Sequence, residues 1–189
     1  TDALNSEDVF TFGNYYRNGL KHLKPGSKIA VDKGVTIFRA VGLFQLAFAD
    51  LPIIQIKRDP RDTILSNFKA FFTTGQHYCY NIASIIEYLH FYLETIRIWQ
   101  ERFPESCYTL NYDNYVQEPV KNNHELAAWL GNGGNNYLFS FRSAERLVHT
   151  ASANQLGEQV RTSSSGRAQA YAPYLKEWEA QIEPLYEYI

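Results

Sequence analysis

Apolar side chains recur every three or four residues over 7–23, where Val9, Phe12, Tyr16, Leu20 and Leu23 follow an acidic start at Glu7 and Asp8. That spacing predicts an amphipathic helix, ended by Pro25-Gly26. The short run at 28–32, apolar at Ile29, Ala30 and Val31, has the length of a buried strand that delivers Asp32 and Lys33 at its carboxyl end. A second helix is predicted over 37–48 from Ile37, Val41, Phe44 and Phe48, stopping near Asp50-Leu51-Pro52. The β-branched stretch 52–57 reads as a strand, with Asp59 as the cap and Pro60 in the first turn of the helix that follows. The longest helical stripe runs over 81–102, through Ile82, Ile85, Ile86, Leu89, Leu93, Ile96 and Trp99, and marks a central packing helix. A third strand is predicted at 107–112, a helix at 119–130 and a turn at 131–136. Residues 150–170, rich in Ser, Thr, Gly, Gln and Arg, read as a long ordered loop, and a final amphipathic helix is predicted over 173–189. Three strands alternating with helices predict an α/β fold whose parallel sheet is covered on both faces.

Composition narrows the class. At 189 residues the chain is one domain's worth, and 45% hydrophobic with 15% aromatic residues supplies a core, which excludes intrinsic disorder. The net charge is 18 − 20 = −2, so the molecule as a whole has no field to attract nucleic acid, and any bound anion must be held by a local cluster. No stretch approaches ~18 uncharged apolar residues, which predicts no membrane span. Two cysteines, Cys79 and Cys107, are too few for a disulfide framework; with the lack of an Asn-x-Ser/Thr acceptor they agree with a reducing, cytoplasmic setting. The five histidines show no metal-ligand pairing, and Gly131-Asn132-Gly133-Gly134 follows a helix rather than a strand, so neither a metal site nor a dinucleotide loop is expected.

In an open α/β sheet, ligands bind outside the carboxyl ends of the strands. Here those ends carry Asp32 and Lys33, then Lys57, Arg58, Asp59 and Arg61, then Tyr112 and Asp113. Arg58 lies at a helix N-terminus, whose amides and dipole favour a phosphate or sulfate. Ser66 follows Pro60 by six residues, roughly 9 Å along a helix axis, so Arg58 and the Ser66 hydroxyl can hold opposite sides of one phosphoryl group. The bland alternative is a solvated, capped helix start in which Asp59 and Asp62 pair with Arg58 and Arg61. A second donor-rich segment holds Ser152, Arg161, Ser163, Ser164, Ser165, Gly166 and Arg167; it suits an oxyanion, although an ordinary polar surface loop has the same composition.

The run Lys57-Arg58-Asp59-Pro60-Arg61-Asp62-Thr63-Ile64-Leu65-Ser66 resembles the 3′-phosphate-binding motif of sulfotransferases that use 3′-phosphoadenosine 5′-phosphosulfate (PAPS). Asp32-Lys33 resembles the Asp-Lys of the Asp-Lys-x-Pro element in the tyrosylprotein and bacterial TPR-linked branch, and Asn111-Tyr112-Asp113-Asn114-Tyr115 is similar to its Tyr-Glu-Asp-Leu segment. Thr150-Ala151-Ser152-Ala153-Asn154-Gln155, continuing to Ser164-Ser165-Gly166-Arg167 and Tyr171, resembles its C-terminal signature. Four motifs in the family's order cover nearly the whole chain.

The resemblance implies a three-layer α/β, P-loop nucleotide-kinase-like architecture and a set of roles. Arg58 and Ser66 would hold the nucleotide 3′-phosphate, Arg167 would reach the same nucleotide, and Tyr112 would contact it. Lys33 would neutralise charge near the transferring sulfonate, with Ser152 near the 5′-phosphate and bridging oxygen. These are suitable types, since sulfuryl transfer, like phosphoryl transfer, needs donors aimed at charge developing on the leaving oxygen. Three positions depart from the pattern: Gly34-Val35 stands for x-Pro, Ala168 for a Trp after the arginine, and Gln155-Leu156-Gly157 for Gln-Val-Arg. The family's strand, phosphosulfate-binding loop and helix have no counterpart, so residues 1–189 are expected to be a single sulfotransferase domain lacking that N-terminal module. The implied reaction moves a sulfonate from PAPS to a hydroxyl, less readily an amine, of a small molecule, sugar or peptide, and releases adenosine 3′,5′-bisphosphate. The alternatives are a nucleotide-binding protein of the same fold without transfer and, more weakly, a phosphotransferase.

Overall fold

The computed structural model describes residues 4–23, 30–70, 72, 75–131 and 165–189. In chain order the helices and strands are α1 (Ser6–Leu23), α2 (Val41–Ala47), β1 (Ile53–Lys57), α3 (Pro60–Lys69), α4 (Ile82–Arg102), β2 (Cys107–Asn111), α5 (Tyr112–Gln117), α6 (Pro119–Trp129), α7 (Ala172–Leu175) and α8 (Glu179–Ile182).

β1 and β2 pair in parallel, with Ile53 opposite Cys107 and Lys57 opposite Asn111, so both carboxyl ends emerge side by side. Parallel neighbours need a crossover, and here α3 and α4 supply it. Side-chain alternation splits the sheet into two faces. On one, Gln55 donates to the Ile96 carbonyl (3.3 Å) and the Cys107 thiol to that of Trp99 (3.7 Å), so α4 covers it. On the other, the Tyr108 ring lies 5.2 Å from that of Trp129, so α6 shields β2 while Ile54 and Ile56 of β1 stay 44% and 53% exposed.

The core sits on α4. Ile85, Ile86, Leu89, Leu93 and Ile96 are buried against Ile64 of α3 and against Leu175, Ile182 and Leu185 near the carboxyl end. With each fully buried aliphatic side chain worth about 1.5–3 kcal/mol, this stripe holds α3 and the tail onto one support. α1 packs on α2 through aromatic rings, Phe12 and Tyr16 meeting Phe44 edge-on at 5.2 and 4.9 Å. Gly42 is required there: a Cβ would lie 2.7 Å from a ring carbon of Trp99, whose indole N–H donates to the Phe38 carbonyl at 2.7 Å.

Four expectations change. The sheet of the described residues has two strands, not three; residues 30–32 of the run at 28–32 are non-strand and the rest lies outside the described residues. Val31 is 85% exposed, so the described part of this run lacks the burial expected of a core strand. Over 173–189 a single helix gives way to short α and 3-10 turns, and Pro184, inside the span, removes an amide donor where the last of them, Glu183–Tyr188, begins. Tyr112, expected at a strand end, is instead the first residue of α5, because the Asn111 side chain accepts from the Asn114 amide (3.0 Å) and starts a helix one residue early. Within 37–48 the first turn, Ile37–Ala40, is a 3-10 helix that runs into α2.

Candidate active site

The Arg58-Asp59-Pro60-Arg61-Asp62 segment starts α3, and each of its residues has a separate task. Asp59 caps the helix: its side chain accepts from the Asp62 amide at 2.9 Å, its carbonyl accepts from the amide and hydroxyl of Thr63, both at 2.9 Å, and Pro60 occupies the first turn. The second Asp59 carboxylate oxygen accepts from the Tyr186 hydroxyl at 2.7 Å. Burial, then that hydrogen bond, push the Tyr186 hydroxyl up to about 12. Arg61 binds the tail, with its guanidinium 4.9 Å over the Tyr186 ring and paired with Glu179 and Glu183.

Asp62 is 2% exposed. It accepts from the Gly166 amide (2.6 Å) and the Ala168 amide (2.7 Å), and its Oδ2 lies 3.5 Å from Arg58 Nη2. Asp113, just past β2, accepts from the Asp59 amide (2.8 Å) and the Ser165 hydroxyl (2.6 Å). The simple solvated pairing is therefore only partly right: Arg58 does pair with Asp62, but Arg61 binds the tail and Asp62 is buried. The amides of Asp59 and Asp62 at this helix start also serve the chain's own carboxylates.

Arg58 and Ser66 line one cavity of about 230 Å³, together with Lys57, Thr63 and Asn67 and an apolar wall of Ile56, Leu89 and Leu93. The Arg58 guanidinium also lies 5.0 Å over the Tyr112 ring. Burial lowers the Lys57 pKa. Tyr92, whose hydroxyl donates to the Ile56 carbonyl at 3.0 Å, closes the far side. A neighbouring cavity of about 410 Å³ is lined by Asp32, Lys33 and Gly34 on one side and by Phe38, Tyr78 and Tyr88 on another. Ile56, Thr63, Asn67, Leu89 and Tyr92 belong to both cavities, so the Lys33 and Arg58 sides share a wall. The Asp32-Lys33 segment is fixed to α1 by the Tyr16 hydroxyl, which donates to the Asp32 carboxylate; burial first, then that bond, push Tyr16 up to about 12.

Of the residues singled out from sequence, Arg58, Ser66 and Tyr112 come together, and Lys33 lines the adjoining cavity. Arg167 is exposed and lies between the two amides that Asp62 holds. Ser152, Arg161, Ser163 and Ser164 lie outside the described residues, as do 132–136 of the expected turn and 150–164 of the expected loop. Sequence reading missed the joining role of Asp62 and Asp113. Asp62 stood inside the recognised motif, but its partners are more than 100 positions away in the chain.

The model of the Sulfotransferase family matches residues 4–132, most of the chain, and the chain belongs to that family. It is also 26% identical over 164 residues to an uncharacterized protein of Aquifex aeolicus (strain VF5), an alignment that covers 85% of this chain and 22% of that protein. The chain thus spans about a fifth of the length of the curated relative it matches. No solved structure matches significantly. The fold is mixed, mostly helical with a small parallel sheet, and among the described residues no helix is long and apolar enough to cross a membrane.

Proposed function

We propose that the chain uses PAPS as its sulfonate donor and transfers the group to a hydroxyl, less readily an amine, of a small molecule, sugar or peptide, releasing adenosine 3′,5′-bisphosphate. The observation that carries this reading is the shared cavity of Arg58 and Ser66: a fixed cation and a hydroxyl, beside a Tyr112 face, suit the 3′-phosphate and the ribose next to it. Arg167, whose neighbours Gly166 and Ala168 donate their amides to Asp62, would supply a second cation from the tail, as the family resemblance implies. Lys33, across the shared wall, would offset charge that develops at the leaving oxygen, the role that the family resemblance implies for it, with Ser152 near the same oxygen. Sulfonate transfer needs orientation and charge stabilisation more than a protein nucleophile, which is what cations and hydroxyls supply.

On this reading the two strands form part of a three-layer, P-loop-like sheet. Cover by α4 on one face and partial cover by α6 on the other support it. The two free, buried cysteines, Cys79 and Cys107, support a reducing, cytoplasmic setting. The test is calorimetric titration with adenosine 3′,5′-bisphosphate. Arg58→Ala is expected to weaken binding by about 1.5–3 kcal/mol, the range for a hydrogen bond to a charged group. Unchanged affinity overturns the assignment, and binding without turnover of labelled PAPS favours a nucleotide-binding protein that lacks transfer.

A further inference from the structure

The Asp62 carboxylate joins the segment that carries Arg58 to the tail segment that carries Arg167. Its side chain is completely buried, with one oxygen accepting from the Ala168 amide and the other accepting from the Gly166 amide and facing Arg58 at 3.5 Å. Residues 166–171 begin with Gly166 in the left-handed region (φ 77°) and continue as a 3-10 helix, Arg167–Tyr171. Asp62 thus does for this tail helix what a capping side chain does for its own, although it belongs to a helix more than 100 positions earlier. Arg167 stands between the two amides that it anchors.

We infer that Asp62 is a positioning residue: it aims the Arg58 guanidinium at the cavity and seats Arg167 beside it, so that two distant cations address one phosphate. The inference rests on the proposed 3′-phosphate reading. A buried carboxylate with three donors holds both cationic segments without occupying the cavity itself, because Asp62 is absent from the lining that Arg58, Ser66 and Lys57 share. Asparagine cannot reproduce this. Its one carbonyl oxygen accepts from one amide well, while its NH₂ group faces the second amide or the Arg58 guanidinium, donor against donor.

The experiment compares adenosine 3′,5′-bisphosphate with adenosine 5′-monophosphate, which lacks the 3′-phosphate, on the full chain by titration calorimetry. Asp62→Asn is expected to weaken the bisphosphate at least tenfold and the monophosphate less than twofold; a purely structural role would weaken both alike. Gly166→Ala perturbs the same joint from the tail side, since alanine is strained at φ 77° while its Cβ meets nothing within 4 Å. It is expected to cost the bisphosphate threefold or more with the same sparing of the monophosphate, and it decides the matter if Asp62→Asn does not fold. Folded variants that keep the wild-type ratio of affinities, or lose both nucleotides equally, overturn the inference alone. A wild-type chain with no preference for the bisphosphate overturns the 3′-phosphate reading, and the inference with it.

Discussion

The two cationic edges of the site are built in opposite ways. At the start of α3 the polar residues are held by partners from α5, the tail or their own helix, and Pro60 and Ile64 beside them are fully buried. At Asp32-Lys33 the backbone belongs to no helix or strand, Val31 and Val35 are exposed, and the hydrogen bond from Tyr16 supplies the tether. The first edge gains its geometry from packing and closed hydrogen-bond circuits, whereas the second leaves its lysine on a segment anchored mainly at one carboxylate. A group that must recognise a fixed phosphate benefits from the first arrangement.

The contrast is broken most sharply by cutting the core beneath the rigid edge. Ile64→Ala, at a position 0% exposed, is expected to cost about 2–5 kcal/mol in urea unfolding, with Val31→Ala within about 0.5 kcal/mol. Equal effects from the two would remove the distinction. A smaller loss tests the hydrogen bonds themselves: Asp59→Ala deletes the α3 cap and the acceptor of Tyr186, and should lower stability by about 1–2 kcal/mol in the same assay. The smallest structural change is expected at the other edge. Lys33→Ala should leave stability within about 0.5 kcal/mol while lowering kcat more than it raises KM, as follows if the lysine acts mainly in the transition state. Turnover equal to wild type would show that the lysine takes no part.

What sequence made legible divides along similar lines. The apolar stripe of 81–102 reappears as Ile82–Arg102, and the β-branched run 52–57 as Ile53–Lys57, because each rests on local periodicity strong enough to survive tertiary context. That Arg58 and Ser66 would face one cavity was legible because both lie on one turn-and-helix unit. Local apolarity misled at 28–32, where the described residues 30–32 form no strand, and over 173–189, where the chain breaks into short α and 3-10 turns, the last of them begun at Pro184. The Asp62 and Asp113 contacts to the tail were not legible, since no pattern within either segment states which amide will meet which carboxylate.

The hydrogen bonds from Gly166 and Ala168 to Asp62, and from Tyr186 to Asp59, close loops of 104, 106 and 127 residues. Loop entropy opposes such contacts until the elements between them have collapsed, so they belong late on the folding route. Damage to this joint should therefore show itself as faster unfolding, with the rate of folding nearly untouched. The edge that starts α3 is then the last part of the molecule to be completed and the first to be released.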